Sequence, residues 1–356
     1  MEKQISIIIP TYNMERYIGK CLDSLLIPEL DAVEVLVVND GSKDRSSEIA
    51  HLYAKRYPDS IRVIDKENGN YGSCINAALP LATGRYVKVL DADDTFDTYA
   101  FSEFVRSLPE CDEDVICTGF YFVTESGDVP KIVKALKHGV QANISYKFNE
   151  LTESYFSGYT AMHQLCYRKS FILDIEYHQT EGVSYTDTQW SIIPLSNCIT
   201  VRFVDLMLYR YLIGREGQTM DRSVYARTIK NMFPVLNGLT EYYNNQYDQV
   251  ANRKFLHDRI VELHKNFYNS VLKNPAIDNH ILKEYDESLK ISSAVIYDAI
   301  GQLAYDVLVD YRPYAEFRRT GYKTAFKIPF RIRLLLSIKS RSLQISKRLR
   351  AITNHA

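Results

Sequence analysis

The 356-residue chain is short of the features that mark exported or membrane-spanning proteins. Its six cysteines (Cys21, Cys74, Cys111, Cys117, Cys166 and Cys198) include no C-x-x-C pair and no spacing that suits zinc. They read as reduced thiols of a cytosolic protein, not as a disulfide frame. No stretch approaches the ~20 consecutive apolar residues that a spanning helix needs. The run Ile5-Ser6-Ile7-Ile8-Ile9 is too short for an export signal and is stopped by Pro10, so no cleaved signal is expected. There is no G-x-G-x-x-G after the first apolar run and no G-x-x-x-x-G-K-[ST] anywhere. A dinucleotide-binding dehydrogenase is therefore disfavoured, and the common phosphate loop is absent. No internal repeat and no low-complexity segment appears. Acidic residues stop at Glu316. Beyond it come 11 basic residues, from Arg318 to Arg350, whereas residues 1–316 hold 32 basic against 44 acidic. An acidic body with a basic tail suggests that the tail has its own anionic partner.

The first hundred residues alternate strand with helix. Strands are predicted over 5–9, 33–38, 61–64 and 86–90, and helices over 15–26, 44–57 and 71–81. Short connections between them imply a parallel sheet covered by helices on both faces. A helix is expected over 97–108, a hairpin over 115–133, a helix from Ser184, and one or two strands over 199–212. From about Ser223 the character changes to long amphipathic helical stretches with almost no glycine. The expected division is 1–222 for an α/β domain, 223–316 for a helical region and 317–356 for a basic amphipathic tail.

Two predicted strands run directly into carboxylates: Val35-Leu36-Val37-Val38-Asn39 into Asp40, and Tyr86-Val87-Lys88-Val89-Leu90 into Asp91. Strand ends of an open parallel sheet are where ligands bind. Asp91, Asp93 and Asp94 fall within four positions and repel one another unless a cation or hydrogen-bond donors compensate. Carboxylates are hard ligands that suit Mg²⁺ or Mn²⁺ rather than zinc. In extended chain Asp91 and Asp93 would share a face. A divalent ion so held usually bridges to a diphosphate, which points to a nucleotide-activated substrate. Thr11, Tyr12 and Asn13 follow the first strand and suit either a ribose and base or a turn with a helix cap. Around Asn68, the string Lys66 to Gly72 has two glycines that permit close approach, ahead of a helix N-terminus that suits an anion. Asp187 opens a predicted helix beside Trp190, the only tryptophan. It reads equally as a helix cap or as a general base over an acceptor hydroxyl, with Trp190 as a sugar-stacking wall. The loop with Arg215 and Gln218 either closes over a diphosphate or is a surface turn. His163 reads as a satisfied semi-buried histidine or as part of an acceptor cleft.

Four strings together resemble glycosyltransferase family 2: Ile5 to Asn13, Val37-Val38-Asn39-Asp40-Gly41-Ser42, Gly84-Arg85-Tyr86-Val87 and Leu90-Asp91-Ala92-Asp93-Asp94. The resemblance is strong over residues 1–100, weaker to about 220 and absent beyond. It implies an α/β GT-A fold, a Rossmann-like mixed sheet flanked by helices, with the C-terminal helical region appended. It also implies a nucleotide-sugar donor, most often UDP-linked, and a divalent Mn or Mg ion. By the same resemblance Thr11, Tyr12 and Asp40 hold the nucleoside, Asp91 faces the ribose and metal side, and Asp93 binds the metal. The loop with Arg215 and Gln218 is similar to the family's diphosphate-facing segment; from the residues themselves, Asn13 and Asn68 are expected at the donor site, and His163 and Trp190 are candidates for an acceptor site. The family's base lies in a Glu-Asp pair before a helix, and here that pair reads Thr186-Asp187.

The expected activity is an inverting, non-processive hexosyl transfer to a glycan or lipid-linked acceptor in cell-surface polysaccharide synthesis. The rival readings are a non-catalytic sugar-nucleotide binding module and a sugar-nucleotide pyrophosphorylase. The tail face of Leu334, Ile338, Ile345, Leu349 and Ile352, interrupted by Arg341, suits an anionic membrane interface better than nucleic acid. A cytoplasmic location at the inner face of the plasma membrane follows as an expectation.

Overall fold

The computed structural model describes residues 2–158, 160–215, 228–274, 277–278, 280–304 and 312–322. The chain divides into two compact units, 1–260 and 261–356.

In the first unit the elements run β1 (Ile5–Thr11), α1 (Ile18–Asp23), β2 (Val33–Asn39), α2 (Ser46–Arg56), β3 (Ile61–Asp65), α3 (Asn70–Ala78) and β4 (Tyr86–Val89). Then come β5 (Thr95–Phe96), α4 (Thr98–Ser107), β6 (Val115–Thr124), β7 (Lys131–Val133), β8 (Ser145–Lys147), β9 (Leu165–Arg168), α5 (Lys169–Asp174), α6 (Asp187–Asn197), β10 (Thr200–Ile213) and α7 (Met232–Gln246). The sheet order is β3-β2-β1-β4-β9-β6-β10-β5, with β7 beside β6 and β8 beside β10. β3, β2, β1 and β4 are parallel, as the alternation predicts. β9 lies antiparallel between β4 and β6 and makes the sheet mixed.

All seven residues of β2 are buried, as are six of the seven in β1. Helices cover both faces of such strands, which is why they read as unbroken apolar runs. Gly84 stands where the chain turns into β4 against the backbone of β1. A Cβ there would lie 2.4 Å from the carbonyl carbon of Ile5, so only glycine fits. The expected hairpin around Gly127 is present as antiparallel β6 and β7. α1 is only six residues long, against the 12 expected. Pro28 disfavours helix in the residue before it, and Met14 and Glu15 are drawn off by Ser46 Oγ and Asp44 at the start of α2. The expected change of character near Ser223 falls inside the first unit, which retains α7.

The division between the units falls within α8 (Arg253–Lys273). The second unit continues with α9 (His280–Ser292), α10 (Ala294–Gln302) and α11 (Pro313–Arg319). Its core gathers Phe267, Tyr268, Leu282, Tyr285, Ile296 and Phe317. Asp286 of α9 is fully buried and receives the Arg318 guanidinium of α11 at 2.7 and 2.9 Å. The hydroxyls of Tyr268 and Tyr322 also donate to it. Arg318 lies 3.5 Å above the centre of the Tyr297 ring. Residues 317–322 therefore belong to this helical core and not to the basic tail. The tail's expected amphipathic face lies outside the described residues. Among the described residues no helix is long and apolar enough to cross a membrane.

Candidate active site

β2, β1 and β4 are neighbours in the sheet and end at one level, so Asp40, Thr11 and Asp91 emerge side by side. They open into a cleft of about 340 Å³ that also takes in Tyr12, Asn68, His163, Asp187 and Arg215. The sequence thus names most of this wall in advance. Asp40 is 2% exposed, and its Oδ1 accepts from Lys66 Nζ at 2.8 Å and from the Gly69 N–H at 2.9 Å. Asn68 Nδ2 donates to the Asp40 carbonyl at 3.0 Å. Tyr12 is 45% exposed, which leaves a ring face open for stacking.

The acidic segment is a turn and not extended chain: the Asp94 N–H donates to the Asp91 carbonyl at 2.9 Å. Asp91 and Asp93 nevertheless both line the cleft. Asp93 accepts from Arg215 Nε at 2.5 Å, and that guanidinium lies over the Tyr17 ring. Asp91 and Asp94 come together instead with His163, and donor atoms of the three lie within 4.8 Å of one another. Asp94 is buried and takes the Tyr209 hydroxyl and the Leu212 N–H, both at 2.6 Å. The same Tyr209 oxygen accepts from the Asp91 N–H at 3.1 Å. Asp91 Oδ1 accepts from the Tyr71 hydroxyl at 2.8 Å.

These partners of Asp91 and Asp94 carry no charge, and burial dominates the electrostatics. Loss of solvent, then the Asp93 charge, pushes the Asp91 carboxyl up to about 7. Asp94 is raised well above the usual carboxylate range, first by burial and then by Asp93. Oxygen donors joined by an imidazole, short of positive charge, fit a divalent cation of the Mg²⁺ or Mn²⁺ kind.

Asp187 is the first residue of α6, across the cleft from the strand ends, and burial raises its carboxyl above the ordinary value. The expected helix starts here and not at Ser184. Tyr185 just before it has φ +70°, a left-handed conformation that costs a bulky residue free energy, and its hydroxyl is 2.6 Å from Thr228 Oγ1. The loop before α6 packs on α3. A Cβ on Gly72 would lie 2.1 Å from the Thr180 carbonyl oxygen, so this glycine admits protein backbone, not a phosphate. Asn76 Nδ2 of α3 holds the Gln179 carbonyl at 2.8 Å.

Two expected residues stand elsewhere. Trp190 is 1% exposed and packs edge-on against Tyr167 and Tyr177, because the fourth residue of α6 faces the sheet. It is no stacking wall. Asn13 is exposed, with φ +53°, and its Oδ1 accepts from the Lys43 N–H at 2.8 Å, tying two loops together outside the cleft wall. Gln218 lies outside the described residues. Sequence reasoning missed Tyr71 and Tyr209, whose partners are 20 and up to 118 positions away. It also passed over Lys66, whose place in the string before Gly69 was its only signal.

Residues 6–173 match the family model described as glycosyl transferase family 2. The uncharacterized glycosyltransferase EpsJ of Bacillus subtilis is 31% identical over 212 residues, which cover 58% of this chain and 60% of EpsJ. The uncharacterized glycosyltransferase YibD of Escherichia coli is 25% identical over 284 residues, 77% of this chain and 81% of YibD. Among solved structures, S. aureus TarS 1–349 in complex with UDP-GlcNAc superposes with a TM-score of 0.52 at 19% identity, over 89% of this chain and 92% of that one. Residues 6–173 thus carry the sequence pattern of glycosyltransferase family 2, and the chain has a GT-A-like fold similar to that of TarS.

Proposed function

We propose that this family 2 glycosyltransferase moves a sugar, with inversion, from a UDP-linked donor to a hydroxyl of a glycan or lipid-linked acceptor in cell-surface polysaccharide synthesis. The observation that carries the reading is the convergence of Asp40, Asp91, Asp93, Asp187 and Arg215 on one cleft at the ends of β2, β1 and β4. The complex of the structurally similar TarS with UDP-GlcNAc supports a UDP-linked donor. Asp40, set by Lys66 and Gly69, would receive a base or ribose N–H or O–H, with Tyr12 of the same cleft to stack.

The acidic turn would hold a divalent cation through Asp91 and Asp94, and through Asp93 where Arg215 releases it. When bound, that cation neutralises charge on a departing diphosphate. Arg215 adds a forked cation aimed at the same charge. Asp187 accepts the proton of the acceptor hydroxyl, and its raised carboxyl is the better base for it. The basic tail supports docking on an anionic membrane surface at the cytoplasmic face. A truncation meant to test the tail has to fall after Tyr322, since Arg318 and Tyr322 hold Asp286.

The test is thermal unfolding with UDP, GDP, CDP or dTDP, each with Mn²⁺ or a chelator. A metal-dependent shift with UDP is expected. A preference for another nucleotide overturns the UDP assignment, and no shift with any overturns the donor site. Asp187→Asn should lower transfer by about 10²–10⁴-fold and leave the UDP shift intact. Loss of both would make Asp187 a structural residue.

A further inference from the structure

We infer that the imidazole of His163 is a direct nitrogen ligand of the divalent cation at the acidic turn, completing a set with Asp91 and Asp94. The inference rests on the proposed cation and adds which side chain gives the site its metal preference.

His163 Nδ1 is buried and finds no hydrogen-bond partner among the described residues. A buried ring nitrogen left so is uncommon and calls for a partner such as a water or an ion. The ring cannot easily turn away. It stacks on Phe120 at 5.1 Å between centroids, meets Tyr209 edge-on at 4.6 Å and leans on Tyr211 at 4.5 Å. Its backbone is pinned from below. Lys88, fully buried in β4, donates from Nζ to the His163 carbonyl at 2.8 Å and to the Leu165 carbonyl at 3.1 Å. Lys88 has no carboxylate within ion-pair distance among the described residues, so its task here is to position this segment.

While Arg215 takes up Asp93 at 2.5 Å, the cation has room for a third protein ligand. With Asp93 engaged, Asp91 and Asp94 are left as carboxylate ligands, and one ring nitrogen of His163 lies within 4.8 Å of a carboxylate oxygen of each. Mg²⁺ is usually held by one or two carboxylates with phosphate oxygens and water. An imidazole favours the later first-row ions over Mg²⁺. The set of Asp91, Asp94 and His163 therefore selects Mn²⁺ over Mg²⁺.

Mn²⁺ is added to the full chain with UDP, and pulsed electron paramagnetic resonance reads whether ¹⁴N couples to the bound ion. Calorimetry compares Mn²⁺ with Mg²⁺ for the wild type, His163→Asn and Asp91→Asn. The wild type should show the ¹⁴N coupling. His163→Asn should lose it, with Mn²⁺ affinity down about tenfold or more and Mg²⁺ affinity changed by less than about threefold. Bound Mn²⁺ without ¹⁴N coupling, in a protein where Asp91→Asn removes binding, overturns the role of His163 and leaves the cation reading standing. Equal loss for both metals in His163→Asn also overturns it and marks the ring as packing only. Binding of neither metal by the wild type with UDP overturns the cation reading itself. Should the variant fail to fold, the wild-type ¹⁴N signal decides alone.

Discussion

Asp286 in the helical unit and the Asp91–Asp94 turn in the α/β unit are compensated in opposite ways. Asp286 in the helical unit meets a full guanidinium charge from Arg318 as well as two tyrosine hydroxyls. Asp91 and Asp94 in the α/β unit meet tyrosine hydroxyls and a backbone N–H, and the nearby cation, Arg215, is held by Asp93. The first group is complete within the chain and holds helices together. The second is left short of positive charge in a cleft, which is where a diffusible cation lowers the free energy most. Burial alone does not set the role of a carboxylate: Asp40, also buried, takes its counter-charge from Lys66 within the chain and still lines the cleft.

The largest expected effect breaks the complete group. Arg318→Met leaves Asp286 buried without its cation and should cost about 3–5 kcal/mol in urea unfolding, with part regained in the double variant with Asp286→Asn. A cost below about 1 kcal/mol would erase the contrast. Next, Asp91→Asn should abolish the metal-dependent part of the UDP stabilisation, about 2.7 kcal/mol at roughly 100 times the dissociation constant. The Arg318 variant, where folded, should keep that stabilisation.

The smallest effect is a matter of sign. In metal-free protein the Asp91 carboxyl is held up at about 7, above its unfolded value. Its contribution to stability is thus present below about pH 4 and lost as pH rises through about 7. Asp91→Asn removes that dependence. Unfolding curves of wild type and variant in chelator should converge near pH 4 and separate toward pH 8, with the variant the more stable. Parallel curves would mean that Asp91 is compensated like Asp286.

Much of the α/β frame was legible in the sequence, because β1, β2 and β4 are buried on both faces and end abruptly on polar residues. The cleft wall at Thr11, Asp40 and Asp91 followed from those ends. The internal geometry of the acidic turn did not. Which of Asp91, Asp93 and Asp94 act together depends on one backbone hydrogen bond and on Tyr209 and Arg215, some 118 and 122 positions away. The position of Trp190 was illegible for a related reason: the short α6 presents its apolar residues to a sheet whose strand order pattern alone does not give. The split near residue 260 falls inside a continuous helix, where composition does not change.

The packing of α3 has an evolutionary consequence. Gly69 bonds Asp40, Tyr71 bonds Asp91, and Gly72 and Asn76 seat the loop that leads to Asp187. On the roles proposed above, donor recognition and the base are thus indexed to two turns of one helix. If those roles hold, a lineage that acquires a new acceptor cannot do so by sliding that loop, because the proposed donor pocket would move with it. Diversification is channelled to parts of the cleft rim that α3 does not touch, and a designer seeking a new acceptor would do well to start there.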